Sequence, residues 1–167
     1  SDLYNATNKL EKKYEQIGSS QLNSNLLQIE AEYYACARAK NSDQNTRPIS
    51  SLRNGGVDFI EIRSLDLNPY SNIGIDHETI LFLEVFMILC FLEESRAFDN
   101  EDIKVINYND NKVAKYGRDS AIRIINNGKK RKLKTLGKEI LDKMTPIAEQ
   151  LENEDGEYLK MIKSMRD

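Results

Sequence analysis

Between Ile80 and Leu92 the chain reads ILFLEVFMILCFL, with Glu84 as its only charge. A helix that crosses a bilayer needs about 20 apolar residues, so this run is too short to span a membrane and has to be buried against protein. Wound as a helix it is apolar on nearly every side, which predicts a central core helix rather than a surface one. Asp76 is placed to N-cap it, with Ile75 and Ile80 as a hydrophobic staple, and the helix is expected from His77 to about Glu94. A chain of 167 residues, 40% hydrophobic and 31% charged, is long enough to build one globular core around such a helix.

The remaining periodicities supply its partners. Leu3, Ala6, Leu10, Tyr14 and Ile17 recur at helical spacing and predict an amphipathic helix over 2–17 that ends at Gly18. From Gln21 to Glu32 the pattern turns to alternation, as on a strand. The polar, aperiodic stretch Ala35 to Asn54 reads as a long loop, and Val57 to Leu67 as a second strand. Asn68-Pro69-Tyr70-Ser71-Asn72 is turn chemistry. Asn100, Glu101 and Asp102 form a second capping pattern, after which no period is evident as far as Gly128. Helical spacing returns from Leu136 to Leu151, with Pro146 expected to kink or restart it, and a last amphipathic helix holds Tyr158, Leu159 and Ile162. The fold class is α+β.

Net charge is −3, which gives no global reason to bind nucleic acid or an anionic membrane. The basic run Lys129-Lys130-Arg131-Lys132-Leu133-Lys134 lacks interleaved aromatics and reads as a solvated loop before a helix. The single histidine, His77, sits at a helix start. Two cysteines, Cys36 and Cys90, stand in unlike surroundings, which suggests free thiols in a reducing compartment, with the cytoplasm expected. Both are read as non-catalytic.

The segment with the most unusual chemistry is Phe59-Ile60-Glu61-Ile62-Arg63-Ser64-Leu65-Asp66-Leu67. Charged residues alternate there with β-branched and aromatic ones in a strand too apolar to be a solvated edge, so Glu61 and Arg63 are expected to be half-buried. Residues two apart on a strand point the same way with Cα atoms about 6.5–7 Å apart, close enough to serve one ligand. A carboxylate is a hard donor suited to Mg²⁺, and a guanidinium neutralises phosphate oxygens. The other reading is a cross-strand salt-bridge network with no ligand. Spacing alone leaves both open, and the same choice applies to Gln28, Glu30 and Glu32.

LNSNLLQIEAEYYACARAK from Leu22 to Lys40, followed by GGVDFIEIRSLDLNPYSNIGID from Gly55 to Asp76, resembles the glutamate–cysteine ligase family of proteobacterial type. The two blocks occur in the family's order and at its separation, and the likeness continues through FLEVFMILCFL. The resemblance implies part of a curved antiparallel sheet with packed helices, as in glutamine synthetase-like enzymes. It implies the ATP-dependent joining of glutamate, through its γ-carboxylate, to cysteine via γ-glutamyl phosphate, the first step of glutathione synthesis, with Mg²⁺ or Mn²⁺ as cofactor. Position by position, Glu61 matches a magnesium ligand and Arg63 the arginine that contacts the transferring phosphoryl group. Tyr34 matches a tyrosine of the amino-acid pocket, and Arg38 and Lys40 match basic residues on the nucleotide side. Asn23, Asn25 and Gln28 fall on the nucleotide-facing strand.

The chain departs from the family at Cys36-Ala37-Arg38-Ala39-Lys40, where Pro-hydrophobic-Arg-Pro-Lys is usual; losing two prolines loosens the loop. The family's N-terminal half, with its acidic metal cluster, has no counterpart here, and a lone Glu61 cannot hold a metal cluster. The expectation is therefore a single domain, or an internal piece of the catalytic domain, inactive alone: a helix over 2–17, active-site strands and loop over 21–67, and mainly helices over 76–167. Its partners would be glutamate, cysteine and ATP, without nucleic acid or membrane, and missing segments or another chain would cover the edges of the strands at Leu22–Glu32 and Val57–Leu67. The alternative is a binding module in which the Glu61–Arg63 pair is structural.

Overall fold

The structure, a computed structural model, describes residues 34–43 and 45–166. The expected helix over 2–17 and the strand carrying Asn23, Asn25 and Gln28 lie outside these. The chain divides into two compact units, Ser1–Leu67 and Asn68–Asp167. Helices and antiparallel strands mix in it, so the α+β class holds.

In the first unit, β1 (Ala37–Lys40) and β2 (Phe59–Ile62) pair antiparallel, with Ala37 opposite Ile62, Arg38 opposite Glu61, Ala39 opposite Ile60 and Lys40 opposite Phe59. Between them lies α1 (Pro48–Gly55), whose proline occupies the first turn, where its missing N–H costs nothing. Helix α1 ends at Gly56, which takes φ 78° and donates its N–H to the Leu52 carbonyl. Two expectations change here. Ala35 to Asn54 is a strand, a turn and a helix rather than one long loop, and the turn is held by the buried Ser51 hydroxyl, which bonds Thr46 and the Asp43 carbonyl. The second strand is also shorter than Val57–Leu67. Backbone bonds flank the paired residues, from Asp58 N–H to the Lys40 carbonyl (2.9 Å) and from Arg63 N–H to the Cys36 carbonyl (2.8 Å), and β2 itself ends at Ile62. Leu65 and Leu67 are left exposed.

The second unit is built on α2 (His77–Leu92), α3 (Asn100–Tyr116), the hairpin β3 (Arg123–Asn126) with β4 (Lys129–Lys132), α4 (Leu133–Leu151) and α5 (Glu157–Ser164). Asp76 caps α2 as its sequence implies, accepting from Thr79 N–H at 2.7 Å. One stripe of α2, Leu81, Val85 and Leu89, is buried against Leu141, Met144 and Ala148 of α4 and Met161 and Ile162 of α5. Phe82 and Phe86 stack on the flank of this cluster at 5.8 Å. Among the described elements α4 and α5 are those that pack closely on α2; its other sides are partly covered, and Phe91 and Leu92 are exposed. Polar ties close the three-helix unit: the Tyr158 hydroxyl donates to Glu84 at 2.8 Å and Lys143 donates to Glu93 at 2.8 Å.

Helix α3 starts one residue earlier than its sequence suggests. Asp99, not Asn100, is the cap: its carboxylate accepts from Glu101 and Asp102 N–H, while the Asp102 side chain returns to Asp99 N–H, a full capping box. The basic run is β4 rather than a solvated loop. Asn127 (φ 48°) and Gly128 (φ 72°) form the two-residue turn that joins it to β3, a pairing that hairpins favour because both positions need positive φ. Pro146 does not restart α4, which runs unbroken to Leu151 with the proline inside it, between the buried Met144 and Ala148.

Candidate functional site

The site is one face of the β1–β2 pair. Residues opposite each other in an antiparallel pair share a face, and alternation adds those two positions away. Arg38, Lys40, Phe59 and Glu61 therefore lie together, while Ala37, Ala39, Ile60 and Ile62 take the reverse face. The polar side chains converge because short alanines alternate with cations on β1 and isoleucines with charges on β2.

Glu61 is at the centre. Arg63 grips it with two hydrogen bonds, Nε to Oε1 at 2.8 Å and an Nη to Oε2 at 3.0 Å, and Lys40 Nζ stands 3.5 Å from Oε2. The side chains of Glu61 and Arg63 are 33% and 28% exposed, the half-buried state expected of them. The guanidinium of Arg63, and then Lys40, hold the Glu61 carboxyl below its ordinary value, while Glu61 raises Arg63. Tyr34 braces the arginine from the other side: its hydroxyl donates to the Arg63 carbonyl at 3.1 Å and its ring lies 5.9 Å from the guanidinium carbon. Where the resemblance implies a place in the amino-acid pocket for Tyr34, the contact seen is with Arg63.

Arg38 is the anomaly. It is only 8% exposed, yet its side chain makes no hydrogen bond or ion pair with any described residue. It stands directly across from Glu61, whose carboxylate is already engaged by Arg63 and Lys40. A buried cation without a partner is costly, and an anion that supplies the missing acceptors removes the cost. Among the described residues three cations stand with one carboxylate on this face, and a guanidinium presents the donor fork that suits phosphate. Sequence reasoning found all of these residues. It did not single out Phe59, half exposed and placed on the same face as Glu61 by strand alternation, or Asp58, whose carboxylate accepts from Ser42 N–H at 2.7 Å and fastens the turn after β1.

As a metal site the face is partial. Among the described residues no group of three or more His, Cys, Asp or Glu side chains could hold an ion. Glu61 offers one hard carboxylate, and Mg²⁺ is often held by one or two carboxylates plus the phosphates of its substrate, so the donor fits as a single ligand. Asn23, Asn25 and Gln28 lie outside the described residues. Both cysteines are free and exposed, and no helix among the described residues is long and apolar enough to cross a membrane.

Among the described residues this face sets Arg38, Lys40 and Arg63 about a single carboxylate, a donor set whose chemistry matches that of phosphate oxygens. The chain belongs to the glutamate–cysteine ligase family, whose model matches residues 1–113. It is 39% identical over 168 residues to glutamate–cysteine ligase of Alcanivorax borkumensis, covering 93% of this chain and 32% of that protein. Against glutamate–cysteine ligase of Wigglesworthia glossinidia brevipalpis, identity is 43% over 134 residues, with 78% and 26% covered. The crystal structure of glutamate–cysteine ligase from Francisella tularensis in complex with AMP superposes with a TM-score of 0.85 at 30% identity, over 99% of this chain and 34% of that one. The chain thus spans about a third of the length of the relatives it matches.

Proposed function

We propose that this chain forms one wall of the active site of an ATP-dependent glutamate–cysteine ligase, and that the β1–β2 face receives the phosphates of ATP. The observation that carries this is Arg38, a buried guanidinium without a described partner, on the same face as Lys40 and Glu61. The AMP bound by the Francisella relative supports a nucleotide as the ligand class.

In the reaction proposed, a γ-carboxylate oxygen of glutamate attacks the γ-phosphorus of ATP, the bond to the β,γ-bridging oxygen breaks, and ADP leaves. The cysteine amine then attacks the acyl carbon of γ-glutamyl phosphate, loses a proton, and expels phosphate. Charge builds on the equatorial phosphoryl oxygens in the first step, where fixed cations contribute most. Arg63 is the catalytic residue assigned to those oxygens. Its guanidinium is held by Glu61 and its backbone by Tyr34, and the Nη that does not bond Glu61 is the one assigned to the phosphoryl oxygens. Arg38 and Lys40 bind the nucleotide phosphates. Mg²⁺, when bound, would neutralise phosphate charge, with Glu61 as one of its oxygen ligands, and for that Arg63 has to release a carboxylate oxygen to the ion.

The alternative, a module in which Glu61 and Arg63 are purely structural, draws on one observation: the Lys40–Glu61–Arg63 network is closed on itself. Arg38 lies outside that network. In a protein carrying the whole ligase region, Arg38→Ala, Glu61→Gln and Arg63→Ala each lower ATP- and glutamate-dependent γ-glutamylcysteine formation at least 100-fold. Near-normal turnover in Glu61→Gln and Arg63→Ala would make the pair structural and the assignment wrong.

A further inference from the structure

The second unit carries a charge imbalance that the ligase reading does not use. Between Lys112 and Lys138, ten lysines and arginines face a single acid, Asp119, in a chain whose net charge is −3. The end of α3, the following turn and the β3–β4 hairpin hold eight of these cations, and Lys134 and Lys138 lie at the start of α4. By the hairpin register, Arg123 opposite Lys132, and Lys130 opposite Ile125, lie on one face. Opposite Cα atoms are about 5 Å apart and same-face neighbours on a strand about 7 Å, so the three cations form a short track with those two spacings. None of the three makes an ion pair with a described residue. Arg131, on the reverse face, is instead neutralised by Glu139.

At the end of α3 is an open cleft of about 360 Å³, lined by Val113 to Asp119. It presents Tyr116, which is 59% exposed, between Lys115 and Arg118. Two turn bonds, Asp119 N–H to the Tyr116 carbonyl (2.9 Å) and Ile122 N–H to the Asp119 carbonyl (3.0 Å), carry the chain from this ring directly into Arg123. The sequence shows a basic run without aromatics. The fold supplies the aromatic from the neighbouring helix.

We infer that the β3–β4 ribbon and the α3 end form a binding site for single-stranded nucleic acid, independent of the ligase site. Repeated phosphates match the cation track by charge complementarity. The cleft selects among polyanions: an acidic peptide has no flat apolar face to set on Tyr116, and a duplex keeps its bases stacked inside, whereas a single strand offers both phosphate and base. The acids that make the whole chain negative lie outside this stretch, so net charge does not oppose binding there.

The test is fluorescence anisotropy of a labelled 12-nucleotide uridylate with the 167-residue chain. If four cations meet phosphates, each contributing a slope of about −0.7, quadrupling the salt weakens binding about 50-fold. Lys130→Glu with Lys132→Glu weakens it at least tenfold and flattens the salt slope, and Tyr116→Ala weakens it at least fivefold, since base stacking contributes about 1–3 kcal/mol. Lys160→Glu with Lys163→Glu, in α5, leaves binding unchanged, and circular dichroism checks that each variant is folded. The inference is overturned by absence of binding at low salt, by equal loss in the α5 variant, by indifference to Tyr116→Ala, or by equal competition from polyglutamate or a blunt duplex.

Discussion

Both carboxylate oxygens of Glu61 are hydrogen-bonded to the Arg63 guanidinium, two residues along the same chain. This grip, more than Lys40 at 3.5 Å, keeps the carboxyl below its ordinary value of 4.5. A carboxyl whose folded pKa is depressed favours the fold fully above its unfolded pKa, and that contribution disappears as pH falls through the folded value. Arg63→Ala is expected to return the Glu61 titration most of the way to 4.5, and Lys40→Ala to move it less. Carbon NMR of the glutamate carboxyl across pH 2 to 6 reads both, and an unmoved Glu61 in Arg63→Ala would remove the arginine as the cause.

In the second unit, Asn109 of α3 pairs its carboxamide with the backbone of Ile125, donating to the carbonyl at 2.8 Å and accepting from the N–H at 2.9 Å. The side chain thus does for β3 what a further strand would do and ties the hairpin to the helix. Asn109→Ala leaves two half-buried backbone groups unpaired, for a cost of about 1–3 kcal/mol. Asn109→Asp keeps the acceptor but sets a carboxylate against the Ile125 carbonyl, so it should do no better. Hydrogen exchange at Ile125 checks the alanine variant: its amide should lose protection in Asn109→Ala, and retained protection there would show that the bond is dispensable.

That pairing also shows where reading the sequence stops. The helices with one clear apolar stripe or a strong cap, at Asp76 and from Leu136 onward, are legible because burial and capping act over three or four residues. Asn109 looks like any polar residue until the strand it serves is in place 16 residues later. The hairpin was within reach, since Asn127-Gly128 is a turn signal, but four basic residues in a row hide the alternation that marks a strand. At the candidate site, Glu61 and Arg63 stand out as charges in an apolar strand. The burial of Arg38, with no partner among the described residues, is a property of the three-dimensional fold, and no spacing encodes it.

Met144 is fully buried where α4 meets α2 and α5, beside Val85 and Met161. Met144→Ala removes three heavy atoms' worth of contacts from a closed cluster and is expected to destabilise this unit by about 2–5 kcal/mol, the range for large-to-small changes in cores. Ile140, on the same helix but 40% exposed, should lose much less on truncation. Urea denaturation followed by the helical circular dichroism signal measures the two. Similar losses would mean that the Met144 site relaxes to fill the space.

The start of α3 separates two residues that the sequence makes nearly equivalent as caps. Asp99 accepts from two helix N–H groups and its own N–H is capped by Asp102, which Arg96 in turn holds through both carboxylate oxygens, at 2.6 and 2.7 Å. Removing the cap leaves first-turn donors to water alone, so Asp99→Ala should cost about 0.5–2 kcal/mol. Asn100 is already the first residue of the helix and is exposed, so Asn100→Ala, with its better helix propensity, should be neutral or slightly stabilising. Arg96→Ala frees Asp102 without removing the cap and should fall between the two. Exchange rates of the Ile103 amide order the three variants, and a larger loss in Asn100→Ala than in Asp99→Ala would move the cap to Asn100.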